Sequence, residues 1–519
     1  MGYHSTGPAY AALLGLLAFG CSGLGRQILR QRSCRLASPN RRLVAEYSLG
    51  LLLYVSVFGL LAQISGDGRA AATLVAGCVA LGTASLGRAI ACKRRALLAV
   101  VITLIALATG TTPVNLSAAD GWNYAYLAAT LFRGDWLTAN MVGTANADSL
   151  RALTHVGTFT RAAPLALLWP AAALGWPIDA RTVASLGALL LVGAAALIAD
   201  LFRGLAPLGA RVLLAVAALG AFNVTAVLTG GQVNQPFAIA VCVAMAWLCW
   251  YVENERVSWL VLVLCGAAIA CGYPEFLVGV PAYLLCVVVL RRAPVREFAV
   301  MVAWLAAGVA LAELTTGLQG MEYLLTQATA DPQWWPLPGD PVNPVDEWAA
   351  VLVQRVPPRL SLVLIVPALW LGWRLSAPAG RPSLWPLACA AALIAGWSML
   401  LTHAANANYA TFKLLGWVSP GLLLLVWLAR PARPTWLVQA FTAGLLAVAA
   451  VRTLGVGAEL YGIWPLYSGP PISNPVWRVE AASGSCALTV DAGTLVVLEA
   501  AVAGSAAPAR GCRLIDAQP

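Results

Sequence analysis

The chain has 519 residues, of which 60% are hydrophobic and only 10% are charged, and its mean hydropathy is +0.78. Soluble globular proteins carry roughly a quarter charged residues, so this composition excludes a soluble protein and predicts a polytopic membrane protein. The formal net charge is +10, but the basic residues stand in short clusters between apolar runs and form no stripe with stacking aromatics. That pattern excludes a nucleic-acid-binding surface, so we expect no nucleic-acid partner.

The basic clusters predict how the chain is threaded, because arginine and lysine mark the cytoplasmic side of a membrane protein. The clusters lie at 26–42, 93–95, 291–296, 374–381 and 430–433. With this rule the chain is predicted to be an all-α polytopic membrane protein with about fourteen transmembrane helices and both ends outside. The predicted spans lie at roughly 8–25, 43–63, 70–90, 96–112, 184–203, 209–229, 236–252, 258–272, 276–290, 298–315, 360–375, 384–403, 412–429 and 435–452.

The apolar run 163–176 is an exception to this pattern. It is short and interrupted by Pro164 and Pro170, with Pro177 directly after it. A proline inside a helix removes a backbone hydrogen bond, and a crossing here would also invert the sides of all later loops. We therefore expect this run to lie in the membrane or to dip into it without crossing.

Residues 1–455 are predicted to form the transmembrane domain and residues 456–519 a small periplasmic tail. The tail is polar and rich in small residues, with alternating apolar patches such as 488–490 that predict a small β-containing extracytoplasmic appendage. Cys486 and Cys512 both lie there, and the sequence leaves open whether they form a disulfide in an oxidising compartment. The twelve cysteines include no CxxC pair and no Cys/His cluster with ligand spacing, so we expect no zinc and no haem, and most of them as small buried hydrophobes.

The unusual polar residues collect on the predicted outer side, partly in a large outer loop that is expected to carry amphipathic helices, whereas the cytoplasmic loops are short and mostly basic. A functional site is therefore expected to open outward. The candidate residues are Asp120, Tyr124, His155, Arg161, Gln232, Asn234, Glu275, Arg355, Arg359, Tyr409 and Lys413.

Asp120 belongs to the stretch NLSAADGWNYAYLAATLFRGDW at 115–136. Ser117 and Asp120 match a capping box, in which both side chains would bond the free amides of a first helical turn. Asp120 and Tyr124 would then share a helix face, while the neighbouring aromatics suit a helix that lies along the membrane surface. Asp120 is thus either a helix cap or a reactive carboxylate, and the two roles are compatible.

Other candidates have two interpretations each. Lys413 is one of two lysines in the chain, and it is either a snorkelling anchor or a cation that meets a phosphate. Glu275, at a predicted hairpin turn, is either solvated or orients a substrate group. The turn around Gln232 and Asn234 either completes helix ends or bonds sugar hydroxyls.

The chain resembles the GT-C superfamily of integral-membrane glycosyltransferases over about 96–413. The resemblance consists of the loop DGWNYAYLAATLFRGDW after an outward span, the stretch HVGTFTRAAPLALLWPAAALGWPIDARTVASLGALLL, and the helix, turn and helix of NVTAVLTGGQVNQPFAIAVCVAMAWLCW. Members of this superfamily take sugars from polyprenyl-phosphate carriers at the outer face of the membrane.

The resemblance implies that Asp120 is catalytic, as general base to an acceptor hydroxyl or, in members that use a divalent cation such as Mg²⁺ or Mn²⁺, as a metal ligand. Lys413, Arg355 and Arg359 are candidates for helping the lipid phosphate to leave. The implied partners are a polyprenyl-phosphate-linked sugar donor, a glycan, lipid or protein acceptor, and the lipids of a bacterial inner membrane.

Two other functions fit the same composition. A transporter or flippase of lipid-linked sugars would need ionisable groups near the bilayer midplane, and the sequence offers few, such as Glu313 near a span end. A non-catalytic glycan-assembly protein, or a polymerase or ligase without the matched carboxylate, would tolerate replacement of Asp120.

Overall fold

The computed structural model describes ten segments of the chain and a few isolated residues between them. Eight segments are described with side chains, and the last two are described by their backbone alone. They are 8–31, 39–65, 89–110, 162–169, 180–203, 232–252, 254–291, 294–316, 486–490 and 512–516.

The described chain is almost entirely helical. Eight α-helices and two short 3-10 helices account for nearly all of it, and two strands complete it. The α-helices are α1 (Pro8–Gln31), α2 (Pro39–Ser65), α3 (Ala89–Gly110), α4 (Ala180–Leu201), α5 (Asn234–Tyr251), α6 (Glu255–Ala270), α7 (Val280–Arg291) and α8 (Val295–Thr316), with 3-10 helices at Ala166–Leu168 and Pro274–Val278.

Five helical stretches are long and apolar enough to cross a membrane, as the sequence predicts for this protein class. They are Tyr10–Arg30, Pro39–Ile64, Thr182–Leu201, Asn234–Tyr251 and Val295–Thr315. A shorter apolar stretch runs from Pro274 to Val288. The count of about fourteen spans stays a prediction, because most of the later predicted spans lie outside the described residues.

Several helices begin earlier than the hydropathy pattern predicts. The sequence places 93–95 in a cytoplasmic loop, whereas the structure puts them inside the first two turns of α3, where Arg95 is buried. Arg41 and Arg42 likewise lie inside α2. Hydropathy alone misses these turns, because lysine and arginine are good helix formers that continue a helix beyond its apolar part.

Close helix packing rests on glycines. Gly25 of α1 and Gly50 of α2 face each other's backbones, and Gly266 of α6 and Gly308 of α8 do the same. A Cβ added to any of these glycines would overlap the carbonyl group of the facing helix. Small residues let membrane helices approach at this distance, so the neighbours pack backbone to backbone.

The described part of the proline-interrupted run, 162–169, is a short, largely buried helical segment. Three of its backbone groups bond to neighbouring parts of the chain, among them the Ala163 amide, which donates to the Cys271 carbonyl. The Tyr54 hydroxyl donates to the Ala166 carbonyl at 3.0 Å, and the Tyr10 hydroxyl donates to the Leu167 carbonyl at 3.2 Å. Irregular backbone is tolerated at membrane depth where protein groups satisfy it, so these contacts fit a segment that lies among the helices. That the whole run 163–176 does not cross the membrane stays a prediction.

The helix bundle has two chemically different ends. The arginine end, as we name it, comprises the C-terminal ends of α1, α4, α5 and α7 and the N-terminal ends of α2, α3, α6 and α8. The opposite end, which we name the amide end, contains Gln63, Gln235 and Glu313. All arginine and lysine side chains described within α1–α8 lie at the arginine end: Arg26, Arg30, Arg41, Arg42, Lys93, Arg94, Arg95, Arg256, Arg291 and Arg296.

In the C-terminal tail, β1 (Cys486–Val490) and β2 (Cys512–Asp516) pair in parallel. A strand is therefore present where the apolar patch at 488–490 predicts one. The register sets Cys486 opposite Cys512. The apolar patch predicted at 494–497 lies outside the described residues.

Candidate functional site

The structure describes four of the predicted site residues: Tyr124, Gln232, Asn234 and Glu275. Tyr124 is helical and packs, half-buried, against the hydrophobic core. Asn234 and Glu275 lie at the amide end, and Gln232 lies two residues before the start of α5. The remaining predicted residues lie outside the described residues; they are Asp120, His155, Arg161, Arg355, Arg359, Tyr409 and Lys413.

Three segments from different parts of the chain meet on one turn of α2. The Phe132 ring, from the chain between α3 and segment 162–169, lies 5.9 Å from the Phe58 ring. A Cβ added to Gly59 would stand 2.7 Å from Cys271 Cβ and 3.4 Å from Ala163 Cβ. The Ala163 amide also donates to the Cys271 carbonyl at 3.0 Å. Phe132, segment 162–169 and the residue that follows α6 therefore share one contact surface on α2.

The first turn of α5 joins the same place. A Cβ added to Gly272 would stand 2.6 Å from Phe237 Cε1 and 3.0 Å from Pro164 Cδ. Phe237 lies one turn after Asn234, so the start of α5 lies against the turn that follows α6. We name this meeting point, defined by Phe58, Gly59, Phe237 and Gly272, the amide-end junction.

Asn234 is the predicted binding residue that the structure singles out. The sequence predicts it in a turn, but it is the first residue of α5 and only 1% exposed. Pro236 two residues later is compatible with this start, since proline is tolerated in a first helical turn. Neither Oδ1 nor Nδ2 of Asn234 has a hydrogen-bond partner. Such a group is rare in a folded protein, because burying an amide without a partner costs free energy.

The same helix start carries further hydrogen-bond donors. Val233, at the N-cap position, gives no side-chain cap. The first N–H groups of an α-helix have no partner within the helix, although Pro236 contributes none. The start of α5 thus combines backbone donors with a side chain that can both donate and accept.

Glu275 is neither fully solvated nor buried. It lies in the first turn of the 3-10 helix Pro274–Val278 and is half-buried. The adjoining aromatics form a chain in which ring centroids are 6.2 Å apart from Tyr273 to Phe276 and again from Phe276 to Tyr283. Glu275 is therefore flanked in sequence by two members of a buried cluster of aromatic rings.

A polar cluster at the amide end was not predicted as a site. Thr315 Oγ1 donates to Gln63 Oε1 at 3.0 Å, which links α8 to α2. Gln63 is also in hydrogen-bonding contact with the Cys271 thiol. Glu313, two residues before Thr315 on α8, is 6% exposed. The only sequence signal for this cluster was a carboxylate, Glu313, near the end of an apolar run. The sequence analysis considered that residue only as evidence for a transporter.

Asp200 organises the arginine end and also escaped the sequence analysis. Its Oδ2 accepts from Trp247 Nε1 at 3.0 Å and pairs with Arg41 Nε at 3.3 Å. The Arg41 guanidinium lies 4.1 Å from the centre of the Tyr251 ring, and the Tyr251 hydroxyl donates to the Asp200 carbonyl. These contacts hold α2, α4 and α5 together at the arginine end. The opposite ends of the same three helices lie at the amide end.

A second network at the arginine end ties α5, α6, α7 and α8 together. Arg291 donates to the carbonyl of Cys249 and, at 3.0 Å, to the Ser258 hydroxyl. It also pairs with Glu297 at 3.4 Å. Glu46 pairs with Arg42 and Arg95 between α2 and α3. The sequence predicts only that these arginines mark the cytoplasmic side of the membrane. In the structure they also hold neighbouring helices together.

The charges described at the amide end are acidic. Glu275 and Glu313 lie there, whereas the described basic side chains of α1–α8 lie at the other end. The cations predicted to assist a phosphate, such as Lys413, lie outside the described residues.

Among the described residues, no group of three or more histidine, cysteine, aspartate or glutamate side chains is arranged to hold a metal ion. The six cysteines described with side chains are buried and have free thiols, in agreement with their predicted role as small hydrophobes.

Comparison with known proteins gives no match: no family model, no curated protein and no solved structure is similar to this chain. The function is therefore argued from the residues themselves.

Proposed function

We propose that the protein is a glycosyltransferase of the bacterial inner membrane, which moves a sugar from a polyprenyl-phosphate carrier to a glycan, lipid or protein acceptor at the outer face. The observation that carries the proposal is the amide-end junction. There Phe132 and segment 162–169 meet on α2, and the first turn of α5 packs beside them through Phe237 and Gly272, so the described parts of the stretches that resemble the GT-C superfamily are neighbours in space.

The proposed chemistry places one carboxylate next to the reacting sugar. Asp120 accepts the proton of the acceptor hydroxyl as its oxygen forms a bond to the anomeric carbon. The bond between that carbon and the phosphate oxygen breaks, and polyprenyl phosphate leaves. Arg355, Arg359 and Lys413 are proposed to stabilise the charge of the leaving phosphate. Where a divalent cation takes part, Asp120 would hold it.

The location of the junction supports an outward site. It lies at the amide end, and the arginine end is the cytoplasmic one under the positive-inside rule. A polyprenyl carrier could then keep its chain in the bilayer while its phosphate and sugar reach the junction.

The test is replacement of Asp120 by asparagine, which keeps the size of the side chain and removes its basicity. Purified wild type and Asp120→Asn are compared for transfer of radiolabelled sugar from a panel of polyprenyl-phosphate donors. We expect transfer to fall by about 10²–10⁴-fold, the usual range for loss of a general base, while folding and donor binding persist.

Asp135→Asn is a matched control, because it removes the same charge from the same loop. We expect it to keep transfer close to wild type. If Asp120→Asn transfers sugar like wild type, Asp120 is a helix cap only and the proposed mechanism fails.

A transporter remains the second candidate, and one observation favours it. Glu313 is buried within the apolar helix α8, and ionisable groups buried in such helices often mark a transport path. Wild-type protein that moves no sugar from any donor in the panel, but carries lipid-linked sugar across a vesicle membrane, would establish this alternative.

A further inference from the structure

Three features of Asn234 together point to a ligand. The side chain is 1% exposed, neither of its polar atoms has a hydrogen-bond partner, and it belongs to the uncapped first turn of an 18-residue helix. A buried amide without a partner lowers stability, so a protein gains nothing from it unless the group has another use. Stability lost at a binding residue is a common cost of function.

The chemistry of the site distinguishes between ligands. A carboxamide has one acceptor and two donors, which complements a hydroxyl group, since a hydroxyl also both donates and accepts. A phosphate would use only the donors and would leave Oδ1 unpaired.

We infer that the first turn of α5, through Asn234, binds the hydroxyl groups of a sugar and not the phosphate of the carrier lipid. This inference rests on the proposed function, and the sugar belongs either to the donor or to an acceptor glycan. Asn234 fixes which hydroxyl pattern is accepted, because a site built to hydrogen-bond a hydroxyl rejects ligands that lack it.

The experiment measures binding to the full-length protein in lipid nanodiscs. The probes are polyprenyl-phosphate hexoses and pentoses, bare polyprenyl phosphate, and a panel of free oligosaccharides. The variants are Asn234→Leu, which replaces the amide by an apolar group of similar size, and Asn234→Ser, which keeps one hydroxyl. Transfer by wild type is measured in the same preparations.

We expect Asn234→Leu to weaken binding of sugar-bearing probes by about tenfold or more and to leave bare polyprenyl phosphate unchanged, with Asn234→Ser between it and wild type. A loss confined to the lipid-linked sugars assigns the site to the donor, and a loss confined to free oligosaccharides assigns it to the acceptor.

Thermal unfolding gives an independent readout. Asn234→Leu is expected to raise the Tm of the ligand-free protein, because it removes an unpaired buried amide. Ser56→Ala is the matched control, since the buried Ser56 hydroxyl lies 2.8 Å from the Leu264 carbonyl oxygen, and its loss is expected to lower the Tm.

Three results would overturn the inference. They are unchanged affinity of Asn234→Leu for every sugar probe, an equal loss for bare polyprenyl phosphate, or a Tm below wild type. In each case, transfer by wild type would still support the proposed function. Absence of both transfer and polyprenyl-phosphate binding in wild type would refute the proposed function as well.

Discussion

The same substitution, glycine to alanine, is expected to have opposite effects at two helix positions. At Gly266 of α6, an added Cβ would stand 3.1 Å from the Leu305 carbonyl carbon and 3.1 Å from the Val309 nitrogen, and closer still to the Leu305 oxygen. Ordinary van der Waals contact of a Cβ begins at 3.4 Å. At Gly193 of α4, by contrast, an added Cβ would meet nothing within 4 Å.

The expected magnitudes follow from these distances. The atoms nearest to the added Cβ at Gly266 belong to the backbone, so α6 and α8 must move apart, and a gap of about 0.5–1 Å removes a quarter to a half of each contact attraction. Overpacking of this kind costs about 1–3 kcal/mol, and the upper part of that range, about 2–3 kcal/mol, applies here because backbone atoms cannot rotate away. Alanine returns about 1 kcal/mol of helix propensity. Gly266→Ala should therefore destabilise the protein by about 1–2 kcal/mol, whereas Gly193→Ala should stabilise it by about 0.5–1 kcal/mol.

Reversible unfolding of the purified protein in detergent, followed by thermal shift or by SDS titration, measures both changes. The two variants differ in position only, so effects of detergent and of expression are shared. The packing argument is refuted if Gly266→Ala is as stable as wild type, or if Gly193→Ala loses as much stability as Gly266→Ala.

Two further predictions concern other contacts. Asp200→Ala should cost about 1–2 kcal/mol, because Trp247 is fully buried and its indole N–H would lose its acceptor. In a double-mutant cycle, Asp200→Ala should cost less stability in a Trp247→Phe background than in wild type. An equal cost in both backgrounds would contradict the hydrogen bond between Trp247 and Asp200. Cys486 and Cys512 are opposite each other in a parallel pair, where strands lie about 4.8 Å apart, within the range of Cα distances that a disulfide spans. Protein isolated without reductant should therefore resist thiol alkylation at both cysteines until it is reduced, and alkylation of either before reduction would exclude the bond.

The sequence is informative about this protein wherever the controlling physics is local. Low charge and long apolar runs determine the membrane class, because the bilayer accepts only chains that satisfy their own backbone groups. The arginine clusters predict which helix ends lie together, and the structure places the described basic side chains of α1–α8 at one end of the bundle. The run 163–176 was predicted to lie in the membrane or dip into it without crossing, partly for an equally local reason, its prolines, and its outcome as a whole stays a prediction.

Tertiary structure decides the features that depend on residues far apart in the chain. Asn234 looked like a turn residue, and only the packing of α5 shows that its amide is buried without a partner. Asp200 gave no signal because its partners, Arg41 and Trp247, lie on other helices. The Gln63 and Thr315 pair spans 252 positions of sequence. Hydropathy and periodicity report whether a residue leaves water, whereas its partner is fixed only when the helices meet.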